Sequence, residues 1–169
     1  MANQNEFFVK IANKLNPFFF KIETVLAIIA VAGFLLKNVN ITLGGIILII
    51  SMAPLAMVYF INAFSSPEPE TLAIKKFLNK LIYWGSSIGI IGILFRLQEY
   101  NGFGQMLLVG CGTLIVATII SLLQNQNMGR KTTIRTLIIL TIGISLYFVP
   151  QEKLFEYKIL HPVEKTTTP

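Results

Sequence analysis

The sequence predicts an all-α integral membrane protein with five transmembrane helices, and three observations lead to that prediction. Hydrophobic residues make up 54% of the 169 residues and charged residues only 13%, whereas soluble domains are about one quarter charged. The mean hydropathy is +0.69. Apolar stretches of spanning length recur, and no segment alternates apolar and polar residues as a barrel strand would. This composition argues against a soluble enzyme, a nucleic-acid-binding domain and a disordered tail, and makes the lipid bilayer the expected surroundings.

A spanning helix needs about 20 mostly apolar residues, and five segments of the chain meet or approach that length. They cover residues 18–36, 43–64, 80–95, 103–123 and 133–148. Lys21 and Glu23 fall in the first turns of the first segment, at the interface. Arg135 lies near the start of the fifth and shortest segment, so we expect its side chain to extend to the headgroups if that segment spans the bilayer.

The first residues of the chain predict a short amphipathic helix on the membrane surface. Apolar residues recur there at helical spacing, opposite a polar face: Phe7, Phe8, Ile11 and Leu15. The pair Asn16-Pro17 is expected to end this helix. A partner-binding role is the alternative to interfacial anchoring, and no cleavable signal is expected because no continuous apolar core precedes a cleavage site.

The division of lysine and arginine predicts the orientation. Nine basic residues lie on one side of the predicted segments: Lys10, Lys14, Lys21, Lys75, Lys76, Lys80, Arg130, Lys131 and Arg135. Only Lys37 and Arg96 lie in the opposite short loops. We therefore expect a bacterial inner membrane protein with a cytoplasmic N-terminus and a periplasmic C-terminus.

An internal repeat is predicted by sliding the chain on itself by 59 residues, which aligns 18–64 with 77–123 without a gap. The identities include the pairs Gly33/Gly92 and Gly45/Gly104, and Lys37 aligns with Arg96. Both copies begin on the same side of the membrane, so the repeat is parallel. The predicted organisation is one membrane domain: interfacial helix 1–17, hairpins 18–64 and 77–123, fifth helix 133–149 and polar tail 150–169.

Small residues predict where helices pack closely. On the third segment they are Gly85, Ser86, Gly89 and Gly92, and on the fourth Gly110 and Gly112. We expect these faces to pack against each other, or against a protein partner or a second copy of the chain. Pro54 in the second segment removes one helical hydrogen bond and predicts a kink.

Charged residues near the outer ends of the segments are weak ligand candidates. Lys37 and Arg96 each end the first helix of a hairpin, and Glu99 follows three residues after Arg96, within reach of an ion pair. A ligand or ion contact is one interpretation, and an interface anchor with a snorkelling side chain is the one we favour.

Catalytic chemistry has few residues to use. Aspartate is absent from the sequence, the single Cys111 lies in an apolar run, and the single His161 lies in the polar tail. No phosphate-binding loop or nucleophile elbow is present. We therefore expect no enzyme activity, no catalytic or metal site and no cofactor.

The second hairpin resembles the transmembrane hairpin of the gliding-motility and type IX secretion motor stator family. The similar stretches within 77–123 are Phe-Leu-Asn-Lys-Leu-Ile-Tyr, Gly-Ile-Leu-Phe-Arg-Leu-Gln and Met-Leu-Leu-Val-Gly-Cys-Gly-Thr. In that family a small-residue helix ends in a basic motif, and a second helix carries an intramembrane glutamate. Arg96 matches the basic position, but Leu114 stands where the glutamate falls, and Leu55 stands there in the first repeat. The resemblance thus implies a relative of the hairpin without ion coupling.

These observations together predict a non-catalytic structural or accessory subunit of a membrane complex. The alternative is a small transporter or channel subunit for an apolar or weakly polar solute. A transporter predicts that Ser51, Ser86, Ser87 and Thr113 converge on one water-accessible cavity. A structural subunit predicts that these side chains are used in helix contacts.

Overall fold

The computed structural model describes residues 2–39, 41, 43–65, 73–123, 129–150 and 153, with side chains from residue 7 onward. The helices are α1 (Ala2–Leu15), α2 (Phe19–Asn38), α3 (Leu43–Asn62), α4 (Ala73–Leu97), α5 (Phe103–Leu123) and α6 (Arg130–Phe148). A single 3₁₀ turn, Asn16–Phe18, joins α1 to α2. The described residues contain no strand.

Five helical segments in the described part of the chain are long and apolar enough to cross a membrane. Four of them are the helices α3, α4, α5 and α6, and the fifth is a continuous helical run, Phe7–Asn38, that contains α2. The predicted all-α membrane fold is therefore confirmed. Large apolar side chains stay exposed along the outer faces of these helices, as Ile28, Ile50, Leu108 and Val116 do, and lipid tails would cover such faces in a bilayer.

Helix α4 is the centre of the bundle. It packs against α3, α5 and α6, while α2 packs mainly on α3. About 56% of the most apolar window of α4 is buried, against 11% for the run that contains α2. The glycines and serines of α4 explain its position, because small side chains let three neighbours approach its backbone.

The starts of α4 and α6 differ most from the predicted bounds, and for a physical reason. α4 begins at Ala73 rather than at residue 80, because Lys75 and Lys80 point outward and do not interrupt the helix. α6 begins at Arg130, three residues before the predicted start. Basic residues near a helix start therefore belong to the helix in this chain, although they are too polar to count as apolar span.

The N-terminal helix ends at Leu15, just before the Asn16-Pro17 pair that predicts its end. Pro17 lies at the start of the 3₁₀ turn, where its missing N–H costs no hydrogen bond. α1 also packs on α3 and on the turn that follows it: the rings of Phe8 and Phe64 stack at 5.3 Å, and Ala12 is fully buried. The helix is thus part of the bundle as well as a candidate for the interface.

The two hairpins place their repeat-related residues in the same relationship. A Cβ on Gly33 would lie 3.0 Å from the amide N of Leu48, and one on Gly92 would lie 2.9 Å from the amide N of Leu107. The two glycines are 59 residues apart in the sequence, and so are the two leucines. In each hairpin the first helix therefore crosses the second at a glycine that leaves no room for a larger residue.

The turns of the two hairpins also contain the same type of backbone hydrogen bond, from an amide to the carbonyl five residues earlier. The amide of Ile41 donates to the Leu36 carbonyl at 3.1 Å, and the amide of Tyr100 donates to the Phe95 carbonyl at 2.8 Å. In the second hairpin this bond belongs to a Schellman motif, in which the residue just after the helix has a positive φ. Glu99 holds that position with φ 61°, where glycine is the usual residue.

Candidate functional sites: two polar clusters and a lateral cleft

A polar cluster joins four helices near the N-terminal ends of α2 and α6. Arg135 Nη2 on α6 lies 2.6 Å from Glu23 Oε2 on α2, in an ion pair whose side chains are only 17% and 14% exposed. The hydroxyl of Tyr59 on α3 donates a hydrogen bond to Glu23 Oε1. Both carboxylate oxygens are therefore engaged, and the charge of Glu23 is matched inside the bundle.

Aromatic rings enclose this ion pair. The guanidinium of Arg135 lies 4.8 Å from the ring centre of Phe19 and 5.8 Å from that of Phe20. The rings of Phe19 and Tyr59 lie 5.3 Å apart edge to face, and Tyr83 on α4 packs 5.9 Å from Phe19. A guanidinium over aromatic faces is stabilised by their quadrupoles, and Arg135 is thus held against α2 by an ion pair and by ring contacts.

This cluster was not predicted from the sequence, although one signal pointed to it. Glu23 is the only carboxylate within the five candidate spans. It lies four residues after the start of α2, and Arg135 lies five residues after the start of α6. At 1.5 Å per residue the two groups are about 6 Å and 8 Å along parallel helices. Equal depth and opposite charge make them natural partners.

A second polar cluster lies at the other end of the bundle and contains the weak ligand candidates. Arg96 is only 5% exposed, and its Nη2 donates to the Val149 carbonyl at 2.9 Å, just after α6 ends. The same guanidinium lies 4.2 Å from the ring centre of Phe103. Lys37 donates to the Leu97 carbonyl at the end of α4. Each cation thus caps the carbonyl end of another helix, a favourable place for positive charge.

Gln98 and Glu99 follow Arg96 at the same end of the bundle as the second polar cluster. Arg96 is directed at Val149 and forms no ion pair with Glu99, so the expected partnership within the turn is replaced by a contact between helices. The amide of Gln98 donates to the Gly45 carbonyl at 2.6 Å and joins the two hairpins. These contacts hold helix ends together, and they give Lys37 and Arg96 a packing role.

The small residues predicted for helix packing are used mostly inside the chain. A Cβ on Gly110 of α5 would lie 2.5 Å from the amide N of Gly89 on α4. One on Gly85 would meet Leu114 at 3.1 Å, and Gly92 faces Leu107 as described. Ser86 is buried and its hydroxyl has no hydrogen-bond partner among the described residues. The glycine faces of α4 and α5 therefore pack against each other.

Gly112 is the exception among these predicted packing residues. An added Cβ there would meet no atom within 4 Å. Gly112 lies in the wall of a cleft of about 230 Å³ between α5 and α6, beside Leu108, Ile115 and Ile144. Among the glycines predicted to pack helices, Gly112 is thus the one whose Cβ position is open.

The hydroxyls of Ser51, Ser87 and Thr113 do not converge on one cavity, because each donates to a different backbone carbonyl. Ser87 on α4 donates to the Ala56 carbonyl on α3 at 2.8 Å. Ser51 and Thr113 donate to carbonyls one turn earlier in their own helices, at 2.8 Å and 2.7 Å.

Pro54, predicted to kink α3, lies exposed inside a helix that continues through it from Leu43 to Asn62.

Two adjoining clefts between α2 and α6 share Val31 and form the two parts of the α2/α6 cleft, an outer part toward the C-terminal end of α2 and an inner part toward its N-terminal end. Its outer part, of about 400 Å³, has Ala30 and Phe34 of α2 on one wall and Ile142 of α6 on the other, with Leu48 of α3 and Ile93 of α4 as floor. Its inner part, of about 420 Å³, extends from Val31, which lines both parts, to Phe20, Glu23 and Arg135. The cleft forms because α2 packs on α3 while α6 packs on α4 and α5.

Two further predictions concern chemistry. Among the described residues no group of three or more His, Cys, Asp or Glu side chains is placed to hold a metal ion. Cys111 is buried and lies against Gly143 of α6. His161 and most of the polar tail, 150–169, lie outside the described residues.

The positions that carry the stator resemblance can be located in the bundle. Leu114, where that family places its glutamate, is fully buried and would touch any side chain added at Gly85. Its counterpart Leu55 is 9% exposed. Arg96 lies at the outer end of α4, packed on Phe103. Both depths that would hold a carboxylate in that family are thus filled by leucine in the core.

The chain matches no protein-family model, no curated protein and no solved structure. The stator resemblance therefore stays a prediction.

Proposed function

We propose that this protein is a non-catalytic structural or accessory subunit of a bacterial inner-membrane complex. The observation that carries the proposal is the use of its polar and small residues. Ser87 bonds a neighbouring helix, and Gly85, Gly89, Gly92 and Gly110 lie at helix crossings. A chain that uses these groups for packing is built to hold a rigid shape in the membrane.

The transporter or channel alternative has less support. A solute path needs polar groups that face one accessible cavity. Ser51, Ser87 and Thr113 donate instead to three separate backbone carbonyls, and the α5/α6 cleft and the outer part of the α2/α6 cleft are lined almost entirely by apolar side chains. Such clefts suit lipid tails or partner helices better than a polar solute.

The partner surface that we propose is the α5/α6 cleft around Gly112. Open space at a glycine lets a neighbouring helix approach closely. Leu108, Ile115 and Tyr147 border the cleft and would supply apolar contact area. A helix from a partner subunit or from a second copy of the chain fits this surface, in agreement with the partner expected from the sequence.

We also propose the orientation and the duplication. The nine-to-two division of basic residues supports a cytoplasmic N-terminus and a periplasmic C-terminus. The matching glycine crossings, Gly33 on Leu48 and Gly92 on Leu107, support a duplicated hairpin. Under this proposal the Glu23–Arg135 cluster faces the cytoplasmic side, and the Lys37 and Arg96 contacts face the periplasm.

A size measurement on native complexes tests the subunit proposal. Membranes are extracted with a nanodisc-forming polymer, and the mass and protein stoichiometry of the particles are measured. Wild type is expected to carry a partner at fixed stoichiometry, Gly112→Leu to lose it, and Ala53→Leu, an exposed site on α3, to keep it. A single, partner-free wild-type chain, or solute uptake by pure protein in liposomes, would overturn the proposal.

A further inference from the structure

We propose that the cleft between α2 and α6 binds one anionic phospholipid, with its acyl chain in the cleft and its phosphate at Lys131 and Arg135. The inference goes beyond the subunit proposal and uses a different surface. It follows from three properties of the cleft: its lining, its length and the charge at its inner mouth.

The lining suits a hydrocarbon chain. Ala30, Val31 and Phe34 face Ile142 across a floor that includes Met52. The hydroxyls of Thr141 and Ser145 are the polar side-chain groups of the outer part. A membrane-facing cleft of this kind gains nothing from water, since a buried water needs polar partners, whereas an acyl chain makes dispersion contacts with each wall.

The length suits an acyl chain as well. On α2 the cleft extends from Phe20 to Phe34, which is about 21 Å at 1.5 Å per residue. One leaflet contributes about half of a hydrocarbon core of about 30 Å. The cleft therefore accommodates a chain that enters from the leaflet around the start of α2 and reaches past the bilayer midplane.

The inner mouth has the charge that a phosphate requires. Glu23 is neutralised there by Arg135 and accepts the hydroxyl of Tyr59, so it presents little free negative charge. Lys131 is exposed, and its Nζ lies 5.1 Å from the ring centre of Phe20, which lines the cleft. A guanidinium has five N–H donors, of which the pair with Glu23 engages one nitrogen. Lys131 thus supplies the positive charge for an anionic headgroup at the inner mouth, and Arg135 supplies N–H donors.

The second cleft is an internal comparison. The α5/α6 cleft is apolar as well, but no lysine or arginine lines it. It lies toward the other end of α6, at Tyr147 and Phe148. Charge complementarity therefore distinguishes the α2/α6 cleft as the lipid site and leaves the α5/α6 cleft to a protein helix.

Native mass spectrometry of the full chain, released from nanodiscs of equal phosphatidylglycerol and phosphatidylcholine, tests the proposal. Wild type is expected to retain one phosphatidylglycerol per chain. Ala27→Trp, which fills the inner cleft, is expected to lose it, while Ala32→Trp, exposed on α2 outside the cleft, keeps it. A thermal melt of both variants checks that they are folded.

A charge variant gives a second readout that does not depend on filling the cleft. Lys131→Gln is expected to reduce the preference for phosphatidylglycerol over phosphatidylcholine about fivefold, since each basic residue near a lipid surface contributes roughly that much. Lys75→Gln, exposed at the start of α4, removes the same charge away from the cleft and is expected to leave the preference unchanged. Four results would overturn the proposal: no retained lipid, equal retention of the neutral lipid, retention by Ala27→Trp, or a second protein chain in the cleft. None of these bears on Gly112, so the subunit proposal would stand or fall separately.

Discussion

Glu23 on α2 and Arg135 on α6 form a 2.6 Å ion pair across the inner part of the α2/α6 cleft. α2 otherwise packs on α3, and α6 on α4 and α5, so the pair joins two helices that pack mainly on different neighbours. Tyr59 donates a hydrogen bond to Glu23, and the guanidinium of Arg135 lies over the ring of Phe19. The pair therefore fixes the position of α2 relative to α6.

Removing one partner of this pair is expected to destabilise the fold. In Arg135→Gln, Glu23 keeps a charge that is only 14% exposed and loses its cation, which is expected to cost about 2 kcal/mol of unfolding free energy. Unfolding in mixed micelles with increasing dodecyl sulfate measures the change. Arg130→Gln, an exposed site on the same helix, is expected to change stability by less than about 0.5 kcal/mol.

The double variant Glu23→Gln/Arg135→Gln separates an ion pair from two unrelated losses. Because neither residue is left charged without a partner, the double variant is expected to be more stable than the sum of the single changes by about 1 kcal/mol. Strict additivity would mean that the two residues do not interact in the membrane.

The repeat-related glycines give a matched prediction. Gly33→Ala and Gly92→Ala are each expected to destabilise the protein by about 1–3 kcal/mol, because the new methyl group would press on a backbone nitrogen about 3 Å away. The other repeat-related pair serves as the control. A Cβ on Gly45 first meets the flexible side chain of Gln98, and one on Gly104 meets Tyr147 at 3.9 Å. Thermal melts in detergent would contradict this account if both pairs lost equal stability.

The turn of the second hairpin predicts a stabilising change. Glu99 has φ 61°, a conformation that costs an L-residue about 1–2 kcal/mol and glycine little. Glu99→Gly is therefore expected to raise unfolding free energy by about 1 kcal/mol. Glu99→Ala removes the same charge but keeps the Cβ, so it is expected to bring no such gain. A stabilisation of equal size in both variants would assign the effect to the charge instead.

Arg96 is expected to be a stabilising contact between helices. Arg96→Gln loses a charged donor to the Val149 carbonyl and the contact with the Phe103 ring, a loss expected to cost about 2 kcal/mol. The exposed Lys75→Gln is the control for loss of a positive charge. Equal melting temperatures for the two variants would show that Arg96 points to water rather than to α6.

Local properties of the sequence predict the spans well and the contacts between distant helices poorly. Apolar length placed α3 and α5 correctly, and glycine spacing on α4 predicted its close approach to α5 at Gly89 and Gly110. The partner of Arg135 depends on which helices the bundle makes neighbours, and Glu23 lies 112 residues away. The Val149 contact of Arg96 was missed for the same reason. Only the matching depths of Glu23 and Arg135 could have suggested their pairing.

Every role proposed for this protein rests on five membrane crossings, and site-directed labelling tests that number most directly. In a Cys111→Ser background, single cysteines replace Lys14, Lys75, Asn101 or Lys153, all at exposed positions. An impermeant maleimide applied to intact spheroplasts is expected to label positions 101 and 153 and to reach 14 and 75 only after permeabilisation. Labelling of positions 14 and 153 from the same side would contradict five crossings.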